Sequence, residues 1–411
     1  MLELKGKYNT CKVFTDNIES AAIAQLINMM NQESTKDSKI RIMPDTHAGR
    51  DNVIGTTMTI TNKIIPNLVS GDIGCGMLAV KINETNIDFA KLDDVIRKYI
   101  PSGHTIHEKE QIDYKPLDDL IAPIIKSKAI RSIGTLGGGN HFIEVNKDSN
   151  SNYWLVIHTG SRYLGKAVFK YHQDKAYETL IDKASGGSLN ELSRRLIQDL
   201  KNTGRQREIS YELEQLKKNY TQKHPKTPKA FAYCEGQAFD DYLHDMRIAQ
   251  NYAVLNRKVI AKTICDHMGW TIIDRIETIH NYIDIDDLIL RKGAVSAKNN
   301  ERLIIPMNMR DGSLLCRGLG NQDWNYSAPH GAGRVMSRGK AKHLVHMNDY
   351  KNAMDGIYTT SVNETTIDEA PMVYKPMDEI IDNIKDTVDV IDIIKPVYNF
   401  KASAEKAPWM N

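Results

Sequence analysis

Five short segments of the chain place ligand-type or nucleophile-type side chains beside small residues. DIGCGM carries Asp72 and Cys75, GTLGGGNHFIEV carries Asn140, His141 and Glu144, VIHTGSR carries His158, ETIHNYI carries His280, and APHGAGR carries His330. Small neighbours let backbone and substrate come close. Asp72 and Cys75 stand three residues apart around a glycine, so a tight turn can aim a carboxylate and a thiolate at one centre. With His141, His158 and His280 they supply O, S and N donors, a set suited to a transition metal or to two metals sharing a ligand. Each histidine alone fits a satisfied core or surface imidazole equally well, and no compact CxxC or HExxH motif settles the matter.

Two segments could meet phosphate. The glycines at 137 to 139 can cradle an anion with backbone N–H groups, or simply form a flexible turn, since no GK[ST] follows. In HGAGR a neutral, partnered imidazole at His330 can attack phosphorus, with Arg334 to neutralise phosphate nearby. His47, between Asp45 and Asp51 in a polar loop, suits a site wall or a plain turn. His172, His224, His244, His267, His343 and His346 read as surface or capping groups. Cys11, Cys234, Cys265 and Cys316 read as small buried hydrophobes. Basic residues cluster at Lys217, Lys218, Lys223, Lys226 and Lys229, and again at Arg334, Arg338, Lys340 and Lys342, where phosphates could dock.

The elements that must position these groups are mixed. Residues 17 to 31 pattern as an amphipathic helix, and residues 38 to 82, 130 to 145 and 153 to 158 as strands joined by tight loops. Ser188 with Glu191 marks a capping box, followed by leucines at helical spacing, and a second such run covers Ile209 to Tyr220. A long helix is predicted from about Asp240 to His267, and a last one near Pro376 before the strand-like VIDIIKPVYNF. The interleaving shows no βαβ repeat, which predicts one mixed α+β domain over 1–411 with a helical insertion at about 186–229. The net charge of +2 leaves any nucleic-acid contact to local patches. Five scattered cysteines, no apolar run of membrane length and no signal-peptide core predict a cytoplasmic protein that engages no membrane.

Taken together and in order, MPDTHAG, IGTTM, DIGCGM, GGGNHFIE, HTGSR, EGQ…DDYLHDMRIAQNYAVLNR, ETIHN, RKGA, HGAGR, DEAPMVYKPMDEII and PVYNFK make the chain resemble the RtcB family of RNA ligases from about Arg41 to Lys401. The resemblance implies a deep active-site cleft and a GTP- and Mn2+-dependent ligase. It would join RNA 2′,3′-cyclic phosphate or 3′-phosphate ends to 5′-hydroxyl ends, in tRNA splicing or RNA repair. Cys75 would bridge two Mn2+ ions, Asp72 and His141 holding one, His158 and His280 the other. His330 would take GMP from GTP. The nucleotide would lie against Asn140, His141, Phe142, Ile143, Glu144, His280, Asn281, Pro306, Asn308, Met309, Ser313, His330, Gly331, Ala332, Gly333, Tyr374 and Lys401. Broken or cleaved tRNA would be the partner, with an archease-like activator as in some relatives. A metal-dependent phosphodiesterase or phosphatase without ligation is the alternative. The chain departs from the family's IPGSMGTRS at Ile305 to Ser313, which reads IPMNMRDGS, and ASAEKAPWMN extends past Lys401.

Overall fold

Strand Gly76–Ile82 (GMLAVKI) is apolar at almost every position, as a strand covered on both faces must be. Leu78, Val80 and Ile82 pack against Ile96 of helix Phe89–Tyr99 and against Ile260 and Ile264 of helix Gln237–Met268. Met77 and Ala79, on the other face, meet Val156, Ile276, Ile304, Leu315 and Ile394. Those five belong to strands of the same sheet, so the sheet curls and buries its concave face against itself. Each fully buried side chain of this kind contributes roughly 1.5–3 kcal/mol.

The order in that sheet is Arg302–Asn308, Gly312–Gly318, Val388–Lys401, Phe142–Lys147, Tyr153–Thr159, Gly76–Ile82 and Ile272–Ile279, all antiparallel neighbours, with Tyr358–Thr359 pairing parallel to Val388–Lys401 off this path. A second sheet runs Leu2–Lys5, Thr10–Val13, Ile40–His47, Ile54–Thr59, Ile289–Lys292, Asn281–Asp284. His280 is the one residue between Ile272–Ile279 of the first sheet and Asn281–Asp284 of the second. The architecture is α+β; this computed structural model describes residues 1–402, so the tail beyond Ala402 lies outside the described residues.

The predicted helices form at Ser20–Met30, Leu189–Asn202, Ile209–Asn219, Gln237–Met268 and Met377–Ile384. Ser188 caps as expected, its hydroxyl accepting from the Glu191 amide at 3.1 Å. Residues 130 to 141 differ from expectation. They end a short helix, Lys126–Arg131, and then form a looped segment, the strand starting only at Phe142. Gly134, Gly137 and Gly139 there adopt positive φ, which breaks a strand. The pattern also missed helix Arg162–Ser185, whose buried residues follow one stripe but whose half-buried Tyr163, Ala167, Tyr171, Tyr177 and Ile181 continue round the other side and blur the apolar contrast.

Candidate active site

Strand register brings the five ligand-type residues together. Phe142 and Met77 both pair with His158, and Gly76 pairs with Ile279. His141, Cys75 and His280 each stand one residue beyond those pairs, so four adjacent strands deliver their donors to one end of the sheet. Cys75 Sγ lies 3.5 Å from His141 Nε2 and 3.3 Å from His158 Nε2. His141 Nε2 stands 3.1 Å from Asp72 Oδ2, and His158 Nε2 stands 3.3 Å from His280 Nε2. Two three-residue groups result, Asp72–Cys75–His141 and Cys75–His158–His280, with donor atoms within 4.8 Å of one another and Cys75 common to both.

The surroundings aim these donors. His141 Nδ1 donates to the Leu136 carbonyl at 2.9 Å and His158 Nδ1 to the Asn140 carbonyl at 3.1 Å, which leaves each Nε2 lone pair facing Cys75. A Cβ on Gly160 would collide with the Asp72 carboxylate, so only glycine lets the two segments meet. Burial pushes His158 and His280 well below the usual histidine range, keeping them neutral. Burial, reinforced by Asp72, pushes the Cys75 thiol well above its usual value, so its proton leaves only when a cation replaces it. Burial alone would raise Asp72, but the adjacent His141 carries its carboxyl well below the usual range. Lys292 faces the same side; burial lowers it to about 8, against the opposing pull of Asp51 and Asp72.

The long helix fastens the loops. Asn256 accepts from the Gly134 and Thr135 amides and donates to the Thr135 and Gly160 carbonyls. Arg257, fully buried, donates to the Gly74 and Thr159 carbonyls at 2.8 Å each and pairs with Glu277 at 3.1 Å. Neither residue stood out in the sequence, because helical spacing shows only that they share a helix.

His330 enters from the small strand Ser327–Pro329, its ring centroid 4.8 Å from that of His280. Its Nδ1 donates to Asp45 Oδ2 at 2.6 Å, and its backbone amide reaches the same oxygen at 3.2 Å. Asp45 is fully buried. With the ring proton held on Nδ1, the Nε2 lone pair is free to attack. A side chain at Gly333, at φ +74, would strike the Asp45 backbone.

Beyond His330 opens a cavity of about 330 Å³. Of the sequence-derived nucleotide residues, it is lined by Asn140, Phe142, Glu144, His280, Pro306, Asn308, Met309, His330, Gly331, Ala332, Gly333, Tyr374 and Lys401. Four do not line it. His141 is buried at the Cys75 centre, Ile143 lies in the apolar core, Ser313 is fully buried, and the Asn281 carboxamide accepts from the Gly293 amide. His47 takes the wall position rather than the plain turn.

Glu369, which sequence reasoning missed, is the hub of the cavity wall. It pairs with Lys401 at 2.8 Å and Arg338 at 2.6 Å, and accepts from the Tyr374 hydroxyl at 2.7 Å. Arg334 is 3.4 Å away and Arg338 also holds Asp368. Arg334 and Arg338 are thus committed to the wall, and of that basic cluster only Lys340 and Lys342 lack a carboxylate partner among the described residues. The departing segment forms a hairpin turn. Asn308 Oδ1 accepts from the Arg310 and Asp311 amides while its Nδ2 donates to Asp311 at 2.7 Å. His172 is not a surface group: it is buried 2.8 Å from Asp245, which accepts the Ile121 and Ala122 amides.

A clustered Cys/His/Asp centre beside an oriented imidazole and a cation-lined cavity defines the molecule as one built for chemistry on phosphates. The sequence model of the RtcB family, described as tRNA-splicing ligase RtcB, matches residues 25–127 and 107–402 in two overlapping segments. The RNA-splicing ligase RtcB of Escherichia coli K12 is 30% identical, over 92% of this chain and 94% of its own length. The tRNA-splicing ligases RtcB of Aeropyrum pernix and Methanococcus maripaludis are 25% and 23% identical, over 82% and 94% of this chain and 82% and 92% of theirs. The chain belongs to the RtcB family and is therefore a member of an RNA-ligase family of enzymes.

Proposed function

We propose that the chain is a GTP- and Mn2+-dependent RNA ligase that joins 2′,3′-cyclic phosphate or 3′-phosphate ends to 5′-hydroxyl ends through a guanylated His330. The single observation that carries this reading is the Asp45–His330 pair, which presents an oriented imidazole at the mouth of the cavity beside the Cys75 centre. A simple phosphodiesterase needs no nucleophilic imidazole there. His330 Nε2 forms a bond to the α-phosphorus of GTP and pyrophosphate leaves. Water opens a 2′,3′-cyclic phosphate to a 3′-phosphate, that phosphate takes the guanylate as the P–N bond to His330 breaks, and the 5′-hydroxyl oxygen then bonds to the 3′ phosphorus as GMP departs.

Asp72, Cys75, His141, His158 and His280 would hold two divalent ions, Cys75 shared between them. One thiolate, three imidazoles and one carboxylate fit Mn2+ or a later first-row ion better than Mg2+, which prefers oxygen ligands. Such ions polarise phosphate oxygens and stabilise attacking and leaving groups. We place the substrate in tRNA splicing or RNA repair in the cytoplasm; no helix among the described residues is long and apolar enough to cross a membrane.

Incubation with α-labelled GTP and Mn2+ should label the protein with an acid-labile, base-stable linkage, as a phosphoramidate on imidazole requires. A protein that never takes the label is a hydrolase instead.

The cavity also predicts a pH dependence. Burial pushes Glu144 up to about 7, with Asn399 and Lys401 opposing it. Its ionised form accepts hydrogen bonds from the guanine N–H edge, and its protonated form does not. Affinity for guanosine, which carries no titrating phosphate, should rise up to tenfold per pH unit below about 7 and level off above it. Calorimetry at several pH values checks this; a flat profile in the unaltered protein counts against Glu144 as the acceptor, and Glu144→Gln should bind weakly at every pH.

A further inference from the structure

We propose that Asn399, from behind the cavity wall, determines which base the nucleotide cavity accepts: it fixes Glu144 as a hydrogen-bond acceptor and so selects guanine over adenine. Asn399 Nδ2 donates to Glu144 Oε1 at 2.6 Å. Asn399 is fully buried and does not line the cavity, whereas Glu144 does. Asn399 is therefore a positioning residue, acting on the base through Glu144. This inference rests on the reading of that cavity as the GTP site.

The register of two neighbouring strands makes the contact. Asn399 of Val388–Lys401 stands directly opposite Glu144 of Phe142–Lys147, and Lys401 stands opposite Phe142. Side chains alternate along a strand, so these residues share one face of the sheet. The same face is otherwise apolar here, with Phe142, Trp154, Val156 and Ile394 in one buried cluster. A carboxamide shut into such surroundings costs free energy unless it is hydrogen-bonded, so packing alone would favour an aliphatic side chain at 399. Its Oδ1 has no hydrogen-bond partner among the described residues, which leaves the bond to Glu144 as what its side chain serves.

An N–H aimed at a carboxyl group favours its ionised form. Lys401, on the strand of Asn399, favours it too, although its Nζ is also held by Glu369 at 2.8 Å. Asn146, next on that face of the Glu144 strand, adds a second carboxamide, while Val156, opposite Glu144 on the other neighbouring strand, carries no charge. Glu369 in the cavity wall is itself neutralised by Lys401 and Arg338. Burial works the other way and brings Glu144 up to about 7. The carboxyl group is thus balanced near neutrality, where one hydrogen bond decides the form present. The two forms read different bases. A carboxylate accepts from both the N1–H and the 2-amino group of guanine and repels the N1 lone pair of adenine. A protonated acid donates to adenine N1 and accepts from the 6-amino group. Each carboxylate oxygen has two lone pairs, so the bond from Asn399 leaves acceptor sites for the base.

The test is Asn399→Leu, which is close in size and has no donor, measured by calorimetry with guanosine and with adenosine across pH. The unaltered protein should prefer guanosine, with the midpoint of its guanosine profile near the Glu144 value of about 7. Losing a donor to the ionised form moves that midpoint up. Guanosine affinity of the variant at neutral pH should therefore fall on the order of tenfold for a midpoint one pH unit higher. Adenosine affinity should not fall, so the guanosine-to-adenosine ratio drops by a similar factor. At higher pH guanosine binding should recover, which a merely loosened cavity would not allow. Asn399→Asp keeps the shape and sets a second carboxyl group against Glu144, so its midpoint should rise as well. It carries the test if the leucine variant does not fold, and Mn2+ uptake, which draws on neither residue, reports folding. An unchanged ratio and midpoint in a folded variant overturn the proposal. An unaltered protein with no preference for guanosine at any pH overturns instead the nucleotide reading of the cavity.

Discussion

His330→Ala is expected to take up no label from α-labelled GTP and to join no RNA, while its metal content stays near that of the unaltered protein. The ring of His330 lies beside that of His280 but is in neither three-residue metal group. Its loss should therefore remove the nucleophile and spare the centre. RNA that already carries a 3′-guanylate should still be joined, because activation is bypassed. Asp45→Asn is the informative companion. An asparagine can present its NH2 to Nδ1 and so favour the tautomer whose proton sits on Nε2, the nitrogen that must attack. Guanylation should fall by about 10⁴-fold, the loss seen when the carboxylate that orients a catalytic histidine becomes an amide. Joining of pre-guanylated RNA by Asp45→Asn should hold near normal. Labelled His330→Ala protein would disprove the assignment outright.

Cys75→Ala should lose both metal ions together, read by elemental analysis of the purified protein, and with them all joining. Its sulfur belongs to both donor groups, whereas Asp72 and His141 belong to one and His158 and His280 to the other. His280→Ala should accordingly strip one ion and leave the other. Removing even an outer partner of a metal ligand costs roughly 10–100-fold in affinity, so deleting a shared ligand should exceed that at both positions. The alanine also takes away the charge that a bound thiolate supplies. Cys75→Ala that keeps two ions and joins RNA with Mn2+ would remove the bridging role. In the unaltered protein, metal uptake should release a proton, because burial holds the free thiol protonated.

Helix Gln237–Met268 and strand Val388–Lys401 were legible because their apolar spacing is local and periodic. The donors were legible only as candidates, since each histidine alone suits a core or surface role and only their recurrence in glycine-flanked or strand-end settings pointed to one centre. By itself, then, the sequence determined which side chains are available and which secondary elements carry them. The residue-level pattern could not show that Asp45 faces His330 across 285 positions, or that Glu369 gathers Lys401, Arg338 and Tyr374. Asn256 and Arg257 likewise clamp loops about 100 to 180 residues away. Such partners are fixed by strand order and register, which place Met77, His158 and Phe142 in one row, and by which helix covers the sheet. Long-range pairing depends on the summed burial of the whole core, and no local window of sequence contains that sum. Helix Arg162–Ser185 escaped the pattern for the same reason. Its buried residues share one face, but half-buried tyrosines and alanines continue round the rest of the helix, so only the tertiary structure decided which side would be covered.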